Sequence, residues 1–115
     1  ISMKNQNYPW LARYPSDVDW FAKLEPKPLY ALLDEAAQRY PESAATLFYG
    51  RRLTYRDIRE AALSLAASLQ QLGVRRGVKV GLCLPNCPQF LIAYYAILYT
   101  GGTVVNYSPL YVAKD

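Results

Sequence analysis

The sequence predicts an α/β fold in which helices pack on a parallel βαβ unit, with a small hairpin beside it. Two short runs, Val78–Leu84 and Thr103–Tyr107, are apolar at most positions, which is typical of strands buried on both faces of a parallel sheet. A helical segment, residues 88–99, lies between them, and the double glycine at 101 and 102 turns the chain. A strand, a helix and a second strand joined by a short turn indicate a right-handed βαβ unit.

Two amphipathic helices precede this unit. Pro28 suits the first turn of the first helix, and Pro41 ends it. Its apolar residues recur with helical spacing at Leu29, Leu32, Leu33, Ala36, Ala37 and Tyr40. The second helix begins at Thr54 with Asp57 as a weaker form of the capping box, and Gly73 caps its end. Its predicted apolar face comprises Ile58, Ala61, Ala62, Leu65, Leu69 and Leu72.

The stretch "ATLFYGRRLTY" has two short β-type runs about Gly50 and predicts a hairpin.

Residues 1–27 are predicted to be an extended arm laid on another surface, since "YPWLARYPSDVDWF" carries prolines and large aromatics without helical or strand period. Residues 28–115 are predicted to be an incomplete subdomain. The third helix is apolar around nearly its whole circumference, and the other predicted elements are too few to cover it. The alternative is a compact independent domain with a tyrosine-rich surface.

Composition limits the class of protein. The chain has 115 residues, 52% of them hydrophobic, so one small domain with a real core is expected. Its net charge of +4 is modest and spread along the chain, which argues against a nucleic-acid module. The basic doublets Arg51-Arg52 and Arg75-Arg76 fit solvated turns better than phosphate or membrane contacts.

The two ends and the longest apolar run bear on location. No secretory signal is visible near the amino end, so a cytoplasmic location is expected. The apolar run Phe90–Tyr99 is far shorter than the roughly 20 residues that cross a bilayer. Met3 resembles a natural start, so Ile1 and Ser2 are interpreted as additions, and the end at Lys114-Asp115 is interpreted as a cut within a connection.

The segment "GLCLPNCPQF" places Cys83 near the end of a predicted strand and Cys87 just before a helix. Asn86 is predicted to be the N-cap of that helix, with Pro88 in its first turn. The chain has no histidine and no third cysteine, so it cannot form a closed zinc site by itself. The spacing also differs from a C-x-x-C redox pair. Small buried thiols in a reducing compartment are therefore expected.

Motifs for other chemistry are missing from the sequence. Gly73, Gly77 and Gly81 lie four apart and follow a helix, whereas a dinucleotide-binding loop is G-x-G-x-x-G after a strand. A P-loop, a histidine base and a close carboxylate pair in a plausible cleft are also missing. We therefore predict no catalytic, cofactor-binding or metal-binding residue on this chain, which by its own chemistry is a scaffold.

Three stretches, "FYGRRLTYRDI", "LGVRRGVKVGLCLPNCPQF" and "GGTVVNYSPLY", resemble in order and spacing the N-terminal signature of acyl-adenylating enzymes, the acyl-CoA synthetase and luciferase superfamily. The arm "YPWLARYPSDVDW" and the run "VVNYSPLY" are similar to bacterial long-chain fatty-acid–CoA ligases. Ser108 replaces the usual asparagine, and "WFAKLEPKP" is not a close match to that group. Medium-chain, dicarboxylic and aromatic acids therefore stay open as substrates.

The resemblance implies that the chain is the N-terminal part of the large adenylate-forming domain of a ligase. Such a ligase uses ATP and Mg²⁺ to convert a fatty acid to an acyl-adenylate and then transfers the acyl group to coenzyme A. The family's phosphate loop, nucleotide-binding motifs and catalytic lysine would lie beyond Asp115, so this fragment is expected to be inactive alone and to bind no cofactor. The resemblance also implies a homodimer through the N-terminal arm and at most peripheral contact with a membrane.

The predicted sheet directs attention to the loops after its strands. Ligands of open α/β sheets bind beyond the carboxyl ends of the strands, and the positions nearest that region are Pro85, Asn86 and Asn106–Pro109. A structural role is favoured for them over direct ligand contact. The alternative function is a free-standing protein-interaction module that uses the tyrosine-rich helix and the arm as its binding face.

Overall fold

The computed structural model describes residues 8–111. The interpretations of Ile1-Ser2 as additions and of Lys114-Asp115 as a cut concern residues outside this range. In chain order the elements are a 3₁₀ helix Pro9–Arg13, α1 Tyr30–Arg39, β1 Ala44–Phe48, β2 Arg51–Thr54, α2 Tyr55–Gln71, β3 Lys79–Leu82, α3 Pro88–Tyr99 and β4 Thr103–Asn106. β3 and β4, which α3 connects, pair in parallel, and β1 and β2 pair antiparallel. The predicted α/β fold, with a parallel βαβ unit and a small hairpin, is confirmed.

Helix α2 is closed by hydrogen bonds at both ends. The Thr54 hydroxyl accepts from the Asp57 amide at 3.1 Å and the Asp57 carboxylate accepts from the Thr54 amide at 2.8 Å, so the predicted capping box is complete. Gly73, with φ +93°, lets the chain reverse while the Val74 amide donates to the Leu69 carbonyl at 3.0 Å. Leu72, which the sequence predicts on the apolar face, lies past the last helical turn and is 82% exposed.

The core lies where the three α-helices meet. Its buried side chains are Leu33 of α1, Ile58, Ala62 and Ala66 of α2, and Ala96 of α3. Small alanines on α2 and α3 allow the two helix backbones to approach closely. On α3 only Ala96 and Ile97 are fully buried, and its tyrosines remain half-buried because the described residues supply only two parallel strands beside it.

One face of the two-stranded sheet is uncovered. Side chains alternate between the faces of a strand, and in β3 Leu82 is buried whereas Lys79 and Gly81 are exposed. The prediction that this strand is buried on both faces is therefore wrong for this chain, since α3 covers one face, and on the other the half-exposed Tyr107 ring lies over Gly81 without burying it. Both strands are also shorter than predicted, at four residues each.

The hairpin turns through two residues, Tyr49 and Gly50, and Phe48 is opposite Arg51. Both turn residues have positive φ, +47° for Tyr49 and +77° for Gly50, as a type I′ turn requires. Glycine adopts this conformation freely, but a tyrosine in it costs about 1–2 kcal/mol. The hairpin thus contains a strained aromatic residue at its tip.

The amino-terminal arm is only partly extended. Pro9–Arg13 forms a 3₁₀ helix, which Pro9 favours because its ring fixes φ in the helical range. The Trp20 ring lies 4.9 Å from that of Tyr14 and 6.3 Å from that of Trp10, centroid to centroid. These aromatic side chains cover one another in part. The boundary between an arm of residues 1–27 and a subdomain of residues 28–115 stays a prediction.

No helix within residues 8–111 combines the length and the apolar character needed to cross a membrane.

Candidate functional site

A groove of about 570 Å³ opens at the carboxyl ends of β3 and β4. It is lined by Leu84, Pro85, Asn86, Phe90, Asn106, Tyr107, Ser108, Pro109, Leu110 and Tyr111. The sequence-predicted positions Pro85, Asn86 and Asn106–Pro109 all lie in this groove. They meet there because parallel strands end at the same edge of the sheet.

Tyr107 forms one wall of the groove. Its amide donates to the Leu82 carbonyl at 2.9 Å, which continues the β3–β4 ladder by one residue. Its ring lies across Gly81, where an added Cβ would come within 3.1 Å of the Tyr107 Cε2 atom. The absence of a side chain at Gly81 therefore makes room for this ring, which is still 51% exposed.

A tight turn at Ser108 forms the other wall. The Ser108 hydroxyl accepts a hydrogen bond from the Leu110 amide at 3.2 Å, and its carbonyl accepts from the Tyr111 amide at 3.1 Å. Serine and threonine hydroxyls commonly stabilise turns in this way. The turn therefore accepts serine at position 108, where the family that the chain resembles usually has asparagine.

The chemistry of the groove suits binding better than catalysis. Aromatic and aliphatic side chains dominate its lining. Its polar side-chain groups are the amides of Asn86 and Asn106 and the hydroxyls of Tyr107, Ser108 and Tyr111. No charged side chain lines it, so it offers no basic side chain to the phosphates of ATP. Among residues 8–111, no cluster of acidic and cysteine side chains is arranged to hold a metal ion.

Two expectations for the "CLPNC" segment are corrected. The N-cap of α3 is Cys87 rather than Asn86, with Pro88 at the first helical position, and the Cys87 side chain makes no capping hydrogen bond. Cys83, expected to be buried, is exposed because it follows β3 on the uncovered face of the sheet. Cys87 is half-buried, and both cysteines are free thiols.

A polar cluster joins the three helices away from the groove. The Asp34 carboxylate of α1 accepts from Arg59 Nε of α2 and from the Tyr99 hydroxyl of α3, each at 2.7 Å. Desolvation acts to raise the pKa of Asp34, but the two hydrogen bonds and the Arg59 charge outweigh it and lower that pKa. Desolvation and the bond to Asp34 raise the pKa of Tyr99. The lowered pKa of Asp34 favours its carboxylate and the raised pKa of Tyr99 favours its hydroxyl, and these are the forms that make the hydrogen bonds between the helices.

Sequence reasoning missed part of the groove lining. Leu84, Phe90, Leu110 and Tyr111 line it, yet no motif marks them. Phe90 has a partial signal, because the first turn of a helix that follows a strand faces the same edge as the strand's carboxyl end. Leu110 and Tyr111 depend on the conformation of the turn at Ser108, which the sequence pattern does not specify.

Comparison with known proteins gives one family. Residues 33–115 match the model of the AMP-binding enzyme family. Over 107 residues the chain is 48% identical to a long-chain-fatty-acid–CoA ligase of Bacillus subtilis. This match covers 93% of the chain and 19% of that protein. It is 39% identical to a ligase of the same name from Salmonella typhimurium, and that match covers 92% of this chain and 19% of that protein. The chain spans about a fifth of the length of these curated relatives.

Solved structures agree with the fold. The N-terminal subdomain of Klebsiella oxytoca NpsA, in complex with 3-hydroxyanthranilyl-AMSN, matches 76% of this chain and 22% of its own with a TM-score of 0.73 and 29% identity. VinN matches 75% of the chain with a TM-score of 0.72 at 24% identity, which supports the fold alone. With the family model matched over most of its length, the chain belongs to the AMP-binding enzyme family.

Proposed function

We propose that this chain is the N-terminal part of the adenylate-forming domain of an ATP-dependent acyl-CoA ligase that acts on fatty acids. The observation that carries the proposal is the 48% identity to a long-chain-fatty-acid–CoA ligase across 93% of the chain. In the proposed reaction, the carboxylate of the fatty acid attacks the α-phosphate of ATP and releases pyrophosphate. The thiol of coenzyme A then displaces AMP from the acyl-adenylate.

The role of these residues in that reaction is to build one edge of the sheet. The uncharged groove has no basic side chain for the triphosphate. ATP, Mg²⁺ and coenzyme A would therefore be held by residues outside this chain. The groove itself, with its aromatic walls, would support the loops that approach the ligand.

Acid-dependent exchange of labelled pyrophosphate into ATP tests the proposal. The full-length protein that contains this chain should catalyse exchange with fatty acids of some chain length, and the 115-residue chain alone should not. A graded series of fatty, dicarboxylic and aromatic acids measures the acyl preference, and a preference for either of the last two classes would replace the fatty-acid assignment. No exchange with any acid, from a folded full-length protein, would overturn the ligase proposal in favour of a protein-interaction module.

A homodimer through the arm of residues 1–27 and a cytoplasmic location are part of the same proposal. In the described part of the arm, Trp10, Val18 and Phe21 remain exposed by more than two-fifths, so the arm offers apolar surface to a second subunit. Sedimentation velocity of the full-length protein with and without residues 1–27 tests this. A dimer that persists without the arm would contradict it.

A further inference from the structure

The tip of the hairpin, defined as the six residues Leu47–Arg52, projects from the core. All six are exposed, Leu47 by 75% and Tyr49 by 95%. The rings of Phe48 and Tyr49 stand edge-on at a centroid distance of 4.6 Å, so the end of the tip is a continuous aromatic surface. A protruding apolar end of this kind is unusual on a solvated turn, where polar residues are the rule.

The backbone at Tyr49 points to a role for this residue outside the fold. Asparagine, aspartate or glycine would fill its positive-φ position with less strain, and its side chain is almost fully exposed. A tyrosine here therefore weakens the turn without adding to the core. Strained exposed residues of this type are found at sites of contact with other molecules.

Arg51 and Arg52 lie directly behind the aromatic end of the tip, and we call this pair the basic collar. In the ladder Phe48 is opposite Arg51 and Leu47 is opposite Arg52, so each face of the hairpin presents one apolar side chain beside one arginine. Neither arginine forms an ion pair with a carboxylate among the described residues. Arg52 donates to the Glu42 backbone carbonyl instead.

The acidic groups near the collar are mostly occupied. The Glu42 carboxylate is paired with Arg56, and the Asp57 carboxylate caps α2. Glu60 lines the shallow groove beside Arg51 and Arg52 and is the remaining carboxylate there. The tip itself carries two positive charges and no negative one.

We propose that the hairpin tip Leu47–Arg52 inserts into the interfacial region of a membrane that contains anionic lipid. Tyrosine and phenylalanine rings partition into the headgroup boundary, and arginines behind them contact lipid phosphates while their stems cover apolar surface. The rigid two-residue turn presents the rings without a loss of loop entropy. This inference does not depend on the ligase activity.

The test is co-sedimentation of the full-length protein with phosphatidylcholine vesicles, with and without phosphatidylglycerol. Tyr49→Asn should lower the partition coefficient about tenfold, since it removes the inserted ring. It should leave the thermal midpoint unchanged or higher because asparagine tolerates positive φ. Arg51→Gln should lower binding about fivefold, and only on vesicles that contain phosphatidylglycerol.

Leu72→Asn is the matched control, because Leu72 is also highly exposed, at 82%, but lies at the far end of α2. It should bind vesicles as the unsubstituted protein does. The proposal is overturned if the full-length protein binds neither kind of vesicle, or if Tyr49→Asn binds as well as the control. It is also overturned if Tyr49→Asn lowers the thermal midpoint or dissociates a dimer, since the tip would then be covered by another part of the protein or by a second copy.

Discussion

Asp34 shows how one side chain can fix the arrangement of three helices. Its acceptor oxygen receives hydrogen bonds from Arg59 and Tyr99, which are 25 and 65 residues away in sequence. The Arg59 bond is charge-assisted, and bonds of this class are stronger than those between neutral groups. No local pattern marks Asp34, because its partners come together only after the helices have packed.

Asp34→Asn should lower the free energy of unfolding by about 1 kcal/mol, since the ion pair is lost but solvent reaches both side chains. Urea unfolding followed by circular dichroism measures the loss. Glu35→Gln is the matched control on the same helix, because its exposed pair with Lys27 should contribute little. Equal effects of the two substitutions would contradict the role assigned to Asp34.

The same residue gives stability a dependence on acid pH. Because the pKa of Asp34 in the folded protein lies below its ordinary value of 3.8, the folded state favours the carboxylate. Its contribution is therefore complete above that value and is lost as the pH falls through the lowered pKa. The difference in stability between the unsubstituted chain and Asp34→Asn should be constant near neutral pH and should close in acid. A difference that persists at the most acid pH would show that burial, rather than pairing, dominates.

At the scale of elements, β3 and β4 depend on a contact between a glycine and a ring. Gly81→Ala places a Cβ 3.1 Å from the Tyr107 ring, closer than such atoms ordinarily approach, so the ring must shift. The substitution alone should destabilise the chain, whereas in a Tyr107→Ala background it should be neutral or stabilising. We expect a coupling energy of about 0.5 kcal/mol or more from the double-mutant cycle. Additive effects would mean that the ring yields without cost.

Elements with local signals could be predicted from the sequence, and elements that depend on distant contacts could not. The capping box of Thr54 and Asp57, the glycine after α2 and the Tyr49-Gly50 turn are each encoded within a few residues. The N-cap of α3 is Cys87, one residue after the predicted Asn86, because both residues precede Pro88 and the extended backbone at Cys87 begins the helix without a side-chain hydrogen bond.

The candidate groove was predictable only in outline. Parallel pairing brings the loops after β3 and β4 to one edge, so Asn86 and Asn106 could be placed there from topology. The position of the Tyr107 ring over Gly81 and the turn at Ser108 arise from three-dimensional packing. Neither follows from hydrophobic periodicity.

At the scale of the whole molecule, much apolar surface is left uncovered. Large side chains on the arm, the hairpin, α2 and the segment after β4 are exposed, including Leu24, Leu72 and Leu110. Within residues 8–111, β3 and β4 each pair with a single strand, so each keeps one unpaired edge. In the proposed ligase, the two unpaired strand edges and the segment after β4 would be buried against the rest of the domain.

The isolated 115-residue chain should therefore bind an apolar dye such as ANS and should associate as its concentration rises. The full-length protein should show neither behaviour to the same degree. Dye fluorescence and sedimentation velocity measure the two properties. An isolated chain that stays monomeric and binds no dye would instead favour a free-standing module.

During protein synthesis, the open edges of the β3–β4 pair stay unpaired until the neighbouring strands have been made. If this region is the first fifth of the proposed ligase, it leaves the ribosome before the strands that complete its sheet. At ordinary translation rates the wait is on the order of tens of seconds, far longer than helices and hairpins take to form. The unsatisfied backbone groups of β3 and β4 are then available to chaperones or to neighbouring nascent chains. The speed of decoding downstream of Asp115 would therefore govern the yield of folded enzyme.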